Sequence, residues 1–438
     1  MKRLLTIAVA GWLLCALPVA AGQLEWDHGL LNRLSEGASY SVRALGFGTR
    51  TEAADAPGNP DNRILEIAGK AAEIDLRPDF SLDINRLQLS LQPRVNARWE
   101  AWTTGLKDGS SQTDSDTYIY QGLARWQATD SLFVSYGREN LQWGPAYLTS
   151  LSNPFFTDNG KENPKTEVAT TDFARAVWVP SLSWSVSFIA NTAAGRQSPP
   201  GREFSRRYAM KADYTGTADY ASLILGGDAA GRRTLGGFYG RTLSDALLAY
   251  AEGALWQHPF GRYAEPADNP LGLAMTCGEH PGQDWTGALL VGGSYTLAAG
   301  PTLSAEYLYY GPGYDDAQAE RYFDLQERAA QAAAAEGALA ALGDGQLFAA
   351  ADPGLRFLRR HYLMLQVVQN DMADVFDLTL RWTQNMDDGS SRLTTIGEWH
   401  GGDHLKFFGI ATINRGDRRS EFKRIFDYQL MAGMEYDF

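Results

Sequence analysis

The chain has 438 residues and a formal net charge of −13, because 52 Asp and Glu outnumber 39 Lys and Arg. This acidic balance argues against nucleic acid as a partner. The chain also carries 45 Gly, 20 Tyr, 19 Phe and 12 Trp, a composition that suits β-strands and aromatic girdles at a membrane surface.

The N-terminus predicts a secretory signal peptide over residues 1–21. A basic pair precedes an apolar run that is too short for a membrane-spanning helix, and small residues lead to a cleavage site after Ala21. Removal of this peptide leaves Cys277 as the one cysteine, so we expect no internal disulfide. Residues 22–37 predict a short periplasmic segment. It is too short for the plug domain of a TonB-coupled receptor, which excludes that class.

Residues 38–438 contain repeated segments in which apolar and polar side chains alternate, the period of a β-strand with one apolar face. Every second connection between them is tight, and those between are generally longer. This asymmetry is typical of bacterial outer-membrane barrels, whereas a soluble sandwich gives no reason for it. The predicted strands are 38–50, 64–77, 84–104, 113–128, 131–141, 171–179, 182–193, 204–215, 218–227, 232–242, 246–257, 284–297, 301–311, 358–370, 373–386, 391–400, 404–414 and 425–438.

The predicted fold is therefore all-β, a transmembrane antiparallel up-and-down barrel of about eighteen strands. An even strand count places both termini in the periplasm of a Gram-negative cell. The last predicted strand ends on Tyr436 and Phe438, the expected signal for the barrel assembly machinery. We expect a monomer surrounded by outer-membrane lipid.

One long outer loop, 312–357, breaks the strand pattern. It contains an Ala-rich run from Asp315 to Leu342 whose composition favours a helix. Such a helix either caps the pore mouth or stands in water as a loop decoration, and the second alternative is favoured.

Several basic residues fall on the polar faces of the predicted strands and so point into the barrel. Arg86, Arg94 and Arg98 share one face of the third strand, a spacing that predicts a ladder of guanidinium groups in the lumen. For any single arginine, a cross-strand ion pair is the more common role. The full set of candidate anion-binding residues is Arg86, Arg94, Arg98, Arg125, Arg207, Lys211 and Arg381.

The loop 142–170 is rich in aromatic residues, Pro and turn formers, which give a loop a fixed shape. It predicts either a constriction folded into the lumen or an external lid. Aromatic rings stack on sugars and Asn supplies hydrogen bonds, so the candidate glycan-stacking residues are Trp143, Tyr147, Asn153, Phe155 and Phe156.

Two short stretches around this loop carry a family resemblance. Gly137-Arg138, followed by Trp143-Gly144-Pro145 and Ser150-Leu151-Ser152-Asn153, resembles a segment of the Wzi-like capsule-assembly outer-membrane proteins. That resemblance implies an eighteen-stranded barrel that binds capsular polysaccharide at the cell surface. The arginine-lined interior is similar, more distantly, to the alginate-export porins.

The histidines offer two candidate metal sets but no catalytic one. His400 and His404 flank a tight turn with Asp403, and His258 and His280 share a loop with Cys277 and Glu279. A histidine pair in a turn is more often exposed to solvent than bound to metal. Because no nucleophile motif accompanies them, we expect no catalytic residues, no metal and no cofactor.

The leading hypothesis from sequence is an outer-membrane barrel that binds or exports an anionic exopolysaccharide or capsular polysaccharide at the cell surface. The alternative is a general or anion-selective diffusion porin, which needs only the barrel and its inward charges. An enzymatic barrel is a distant third.

Overall fold

The computed structural model describes residues 36–438, except for 157, 197–203 and 280–283. The predicted signal peptide and nearly all of the predicted periplasmic segment lie outside these residues. Strands are numbered β1–β20 in chain order. Those of the barrel are Ala38–Ala53, Lys70–Ile84, Leu87–Ala101, Ser111–Gln127, Leu132–Glu139, Thr171–Ser181, Trp184–Ala193, Arg207–Thr215, Asp219–Asp228, Arg233–Ser244 and Leu247–Gln257 (β1–β11), then Trp285–Thr296, Thr302–Tyr310, His361–Met372, Phe376–Asn385, Ser391–His400, Leu405–Arg415 and Phe426–Asp437 (β14–β20).

The eighteen strands form one closed antiparallel sheet, because β1 pairs with β2 on one side and with β20 on the other. Leu45, for example, lies opposite Asp75 of β2 and opposite Glu435 of β20. Closure leaves no edge strand, so the sheet satisfies its own backbone hydrogen bonds, as a bilayer demands. The predicted barrel and its strand number are confirmed, and the fold is that of an outer-membrane protein.

Alternation along β20 shows how the sequence sets the two surfaces of the wall. Leu430, Met434 and Tyr436 are 45, 52 and 41% exposed and point outward, toward lipid. Between them, Met431 and Glu435 are 9 and 5% exposed and point into the barrel. The predicted apolar face of the last strand is therefore the outer surface of the wall.

The connections differ sharply at the two ends of the barrel. One end, here called the short-turn end, has tight turns such as Asn85–Arg86 and also holds the first and last strand termini. The other, the long-loop end, holds the connections 54–69, 102–110, 140–170, 194–206, 258–284, 311–360 and 416–425, with two short ones at 229–232 and 386–390.

Each predicted strand range corresponds to one barrel strand, but the second was misplaced. The tripeptide at residues 77–79 was predicted to be a turn, yet it lies inside β2, and the chain turns at Asn85 instead. Pairing of Leu76 with Val95 and of Phe80 with Leu91 leaves Pro78 opposite Pro93 of β3. The ladder is interrupted there because neither proline has an N–H to donate.

The Arg94 side chain repairs this interruption. Its Nη1 donates to the carbonyl oxygens of Pro78 at 3.1 Å and Pro93 at 2.9 Å. Arg94 is only 3% exposed, so its guanidinium substitutes for the missing backbone donors inside the wall.

A second, smaller core lies at the long-loop end and includes the predicted helical insertion. The Ala-rich segment forms two helices, α1 (Asp316–Ala333) and α2 (Ala338–Ala351), rather than one. They pack on a hairpin absent from the sequence-based expectations, β12 (Phe260–Pro266) with β13 (Leu273–Glu279). This loop cap, defined as residues 54–69, 260–279 and 311–358, buries Ile64, Tyr263, Leu273, Tyr314, Tyr322, Phe323, Leu325, Ala329, Leu347 and Leu358.

Local sequence explains both helices of the loop cap. Asp315 caps α1, accepting the Gln318 N–H at 2.8 Å, while the Gln318 side chain accepts the Asp315 N–H. Gly343 lets α2 approach α1, since a Cβ at this position would lie 2.4 Å from the Ala333 nitrogen. The favoured expectation of a decoration standing in water was wrong, because the insertion shares a buried core with two other loops. Neither helix, nor any other in the described part of the chain, is long and apolar enough to cross a membrane.

A charge placed on the lipid-facing surface should destabilise the barrel far more than one placed on the inner surface. We expect Val291→Arg, midway along β14 and facing outward, to lower the free energy of unfolding in lipid vesicles by about 2–4 kcal/mol. Ser294→Arg, on the inner face of the same strand and nearer to its middle, is the control and should cost far less. Equal losses in urea titrations of the two variants would contradict the assignment of faces.

Candidate permeation pathway

The connection between β5 and β6, residues 140–170, lies inside the barrel and is here called the interior loop. Two carboxylates of the wall hold its first half through backbone groups. Glu306 of β15 accepts the N–H groups of Tyr147 at 2.6 Å and Leu148 at 2.9 Å. Glu252 of β11 accepts the N–H and the hydroxyl of Ser152, both at 2.8 Å.

These two carboxylates are 1% exposed, so they would be costly without the loop donors. Tyr250 adds a hydroxyl donor to Glu306 at 2.8 Å. Gly144, in Trp143-Gly144-Pro145, has φ +90°, and a Cβ there would lie 2.4 Å from Glu252 Oε2. A glycine is therefore required where the loop passes this carboxylate.

The second half of the interior loop is held by charges on other parts of the wall. Lys165 Nζ lies 2.7 Å from Glu398 of β18 and 3.2 Å from Glu435 of β20. Glu167 lies 2.8 Å from Arg94 of β3, and Glu162 pairs with Arg392 of β18. Contacts with strands on opposite sides of the barrel mean that the loop crosses the interior instead of covering the long-loop end as a lid.

Apolar side chains fix the loop against two stretches of wall. Phe155 and Phe156 pack around Phe173 of β6, with ring centroids 5.0 and 6.1 Å away, and are 4 and 2% exposed. On the other side, Leu148 and Leu151 join a cluster of inward residues from β11 to β16. Because these side chains are buried against the wall on both sides, the interior loop is held in a single position.

Three of the five predicted stacking residues are buried in the structure, and the other two are half-buried. Phe155, Phe156 and Asn153 are buried, and Asn153 Oδ1 accepts the N–H groups of both phenylalanines at 3.0 and 3.1 Å. Phe156 is packed away from open space, whereas Asn153 and Phe155 also line the cavity described below. Trp143 packs edge-on against Phe155, and Tyr147 carries the Lys161 ammonium 4.8 Å above its ring.

The predicted arginine ladder is not a continuous array. Arg86 lies in the turn after β2, 57% exposed, with Asp130 3.3 Å away. Arg98 lies at the long-loop end of β3 and pairs with Glu100 at 2.7 Å. Arg94 is buried between them with Glu167. Each of the three is matched by at least one carboxylate, the role expected of a single lumen arginine.

The remaining predicted basic residues are spread around the wall. Arg125 lies opposite Ser135 across β4 and β5, half-buried. Lys211 pairs with Asp213 and lies 5.4 Å above the Trp143 ring. Arg381 is 9% exposed, and its Nη1 donates to the Lys161 carbonyl of the interior loop at 3.0 Å.

Arg207 is one of three predicted site residues, with Asn153 and Phe155, that line a cavity at the long-loop end. Its Nη1 donates to the Pro154 carbonyl at 2.6 Å, and it borders a cavity of about 650 Å³ between the interior loop and the wall at the long-loop end. The lining includes Thr149, Ser150, Asn153, Phe155, Arg207, Asp228, Arg232, Trp256, His258, Phe260, Tyr310 and Arg356.

The cavity lining is positively charged on balance. Four arginines line it, Arg207, Arg232, Arg233 and Arg356. Arg232 pairs with Asp228 at 2.5 Å, and Asp228 is the only carboxylate among the described lining residues. Arg356 lies 3.7 Å from Asp158, and its Nε is buried without a hydrogen-bond partner among the described residues. A lining with more arginines than carboxylates favours anions.

Burial also affects a cation of the interior loop itself. Desolvation lowers the pKa of the Lys161 ammonium, although the carboxylates of Glu306 and Glu252 oppose the shift. The Lys161 Nζ donates to the Ala146 carbonyl at 2.7 Å, so this side chain closes the loop upon itself. The Lys161 ammonium therefore stabilises the conformation of the interior loop.

In the first candidate metal set, the structure groups His400 with Asp377 and Glu398 instead of with His404 and Asp403. His400 lies 2.9 Å from Asp377, and these two with Glu398 bring three potential ligand atoms within 4.8 Å of one another. Glu398 is already paired with Lys165, which is a competing cation. His404 contacts the Tyr436 ring instead, and the second set includes His280, outside the described residues.

Sequence reasoning missed the importance of Glu252 and Glu306. From the sequence, inward carboxylates were expected only as cross-strand partners of lumen arginines, not as acceptors for loop backbone groups. The available signal was an isolated acidic residue in the middle of an otherwise apolar or small strand, as in Tyr250-Ala251-Glu252-Gly253-Ala254. Such a residue needs a buried partner.

Comparisons with known proteins agree on the fold. No family model matches the chain, and no curated protein matches it. Among solved structures, Pseudomonas aeruginosa OprD has a TM-score of 0.54 and 8% sequence identity, over 92% of this chain and 95% of that one. Acinetobacter baumannii OccAB1 has a TM-score of 0.54 and 11% identity, over 92% and 97%. P. aeruginosa OccK5 (OpdH) has a TM-score of 0.52 and 8% identity, over 92% and 99%.

These neighbours share the eighteen-stranded barrel, and OprD is an outer-membrane protein. They overturn the resemblance to Wzi-like capsule-assembly proteins and alginate-export porins, which was wrong. The prediction of capsule assembly and polysaccharide export was wrong with it. The resemblance depended on about twenty residues around the interior loop, which a fold comparison over most of the chain outweighs. The alternative from sequence, a diffusion porin, is the better supported one.

Removing the acceptor at Glu306 should loosen the interior loop. In Glu306→Ala, the N–H groups of Tyr147 and Leu148 lose their partner, and each buried unsatisfied donor costs about 1–3 kcal/mol. We expect amide hydrogen exchange at these two residues to accelerate at least about tenfold, the equivalent of 1.4 kcal/mol. Glu306→Gln keeps one acceptor oxygen and should show a smaller effect. Unchanged exchange in Glu306→Ala would show that the carboxylate does not hold the loop.

Proposed function

We propose that the protein is a diffusion porin of the outer membrane that prefers small anionic solutes. The observation that carries this proposal is the interior loop, which is held across a closed eighteen-stranded wall and borders an arginine-lined cavity. A loop in this position narrows the lumen, so that solutes pass close to fixed charges. The fold shared with OprD and Occ porins supports the same reading.

The orientation that we propose places the short-turn end and both termini in the periplasm, and the long-loop end outside. Bacterial barrels have short periplasmic turns and long outer loops, and the described loops follow this asymmetry. Solutes would then enter past the loop cap and meet Arg207, Arg232 and Arg356 before reaching the interior loop.

The partners that we propose are those of a monomeric barrel. The outer surface of the wall would contact lipid, and the C-terminal strand, ending on Tyr436 and Phe438, would be read by the barrel assembly machinery. These two rings lie 4.8 Å apart at the short-turn end of β20. Transport of this kind needs no catalytic residue and no cofactor.

Shortening the interior loop should widen the pathway. We expect deletion of residues 146–165 to raise single-channel conductance in planar bilayers several-fold, because this segment crosses the lumen. Replacing the exposed connection 103–110 by a short Gly-Ser linker is the control, and should leave conductance near that of the wild type. A conductance unchanged by the deletion would contradict a constriction formed by this loop.

Neutralising three of the four cavity arginines should weaken anion preference. In Arg207→Gln, Arg232→Gln, Arg356→Gln, the reversal potential across a salt gradient should shift toward cation selectivity. The shift should be larger in dilute salt, where the Debye length is about 10 Å at 0.1 M and about 3 Å at 1 M. Arg50→Gln, Arg86→Gln, Arg241→Gln removes the same number of charges at exposed arginines outside the cavity lining and serves as the control for total charge. An equal shift in the control would remove the cavity from the pathway.

A further inference from the structure

Two cations lie directly opposite each other on the lipid-facing surface of the wall. Arg50 of β1 pairs in register with Lys70 of β2, near the long-loop end, and both side chains are exposed. Alternation fixes their direction. Leu45 and Thr51 are buried on the inner face of β1, while Ile74 and Leu76 are exposed on the outer face of β2.

Opposed like charges destabilise a sheet, because directly opposite Cβ atoms lie about 4.5–5.5 Å apart. Neither side chain makes an ion pair or hydrogen bond with another side chain in the described part of the protein. The nearest carboxylate on this face is Glu52, two residues farther toward the long-loop end, which accepts the Tyr428 hydroxyl at 3.4 Å. An anion between Arg50 and Lys70 would remove the repulsion.

An apolar groove begins in the next row of the same face. It encloses about 830 Å³ and is floored by small residues, with Gly48 opposite both Ala72 and Ala432. Trp99 and Phe407 form two of its sides. The floor is open, since a Cβ at Gly46 would meet no atom within 4 Å.

We infer that this surface binds a phosphorylated, acylated glycolipid of the outer leaflet, with a phosphate between Arg50 and Lys70 and an acyl chain in the groove. Charge complementarity selects the headgroup, since two adjacent cations match a phosphate with two negative charges. Position selects the leaflet, because both cations lie at the long-loop end. The inference rests on the orientation proposed above, but not on the transport of any solute.

Native mass spectrometry of the purified protein with hexa-acylated diphosphoryl lipid A tests this inference. The wild type should retain one lipid A, and Arg50→Gln, Lys70→Gln should lower its bound fraction at least about tenfold, because charge-assisted contacts are lost. Gly46→Leu, Gly48→Leu fills the groove while keeping both charges, and should also lower retention. Arg241→Gln is the control. It removes an exposed cation near the short-turn end of β10, and it should retain lipid A as the wild type does.

Heat-dependent gel migration identifies variants that have folded, and only these enter the comparison. Equal retention by the wild type and the folded Arg50→Gln, Lys70→Gln variant would overturn the inference. So would equal retention of phosphatidylglycerol and lipid A by the wild type, because the surface would then distinguish no glycolipid. Single-channel conductance should be unchanged in both double variants, which separates this site from the proposed permeation pathway.

Discussion

A strand that crosses a bilayer finds no water to satisfy its N–H and C=O groups, so each must pair within the protein. The pairing of β1 with β20 meets this requirement by closing the sheet. Closure then divides the side chains of every strand between lipid and lumen, which is why the residues alternate. It also creates an interior too wide for side chains from the wall to fill, and the chain sends residues 140–170 into that space.

A loop inside the barrel places its own backbone N–H and C=O groups in a partly dry environment, where they require hydrogen-bond partners. Charged side chains on the inner face of the wall provide these partners. Glu252 and Glu306 accept loop N–H groups, while Arg381 donates to a loop carbonyl. Arg94 likewise donates to backbone carbonyl oxygens of the wall itself, where Pro78 faces Pro93. Most inner charges are therefore committed to structure, and the surplus positive charge appears in the cavity beside Arg207, where the loop leaves the wall.

The sequence predicted the strands well because a period of two is a local signal: the range 391–400 matches β18 at both ends. It failed where partners are distant. Pro78 was assigned to a turn because nothing local reveals that Arg94 compensates for it, and the β12–β13 hairpin depends on packing against α1. Similarly, the arginine ladder was predicted from the spacing of one strand, whereas carboxylates from the interior loop, from a turn and from β3 itself pair with its three members separately.

Site-directed spin labelling along β20, in a Cys277→Ser background and in lipid vesicles, tests the central claim most directly. Oxygen dissolves in the bilayer, so its collisions with single labels report exposure to lipid. A closed wall around a filled interior requires high oxygen accessibility at Tyr428, Leu430, Ala432 and Met434, and low accessibility at Gln429, Met431 and Glu435. Uniform accessibility along the strand, or maxima at the second set of residues, would contradict the barrel described here.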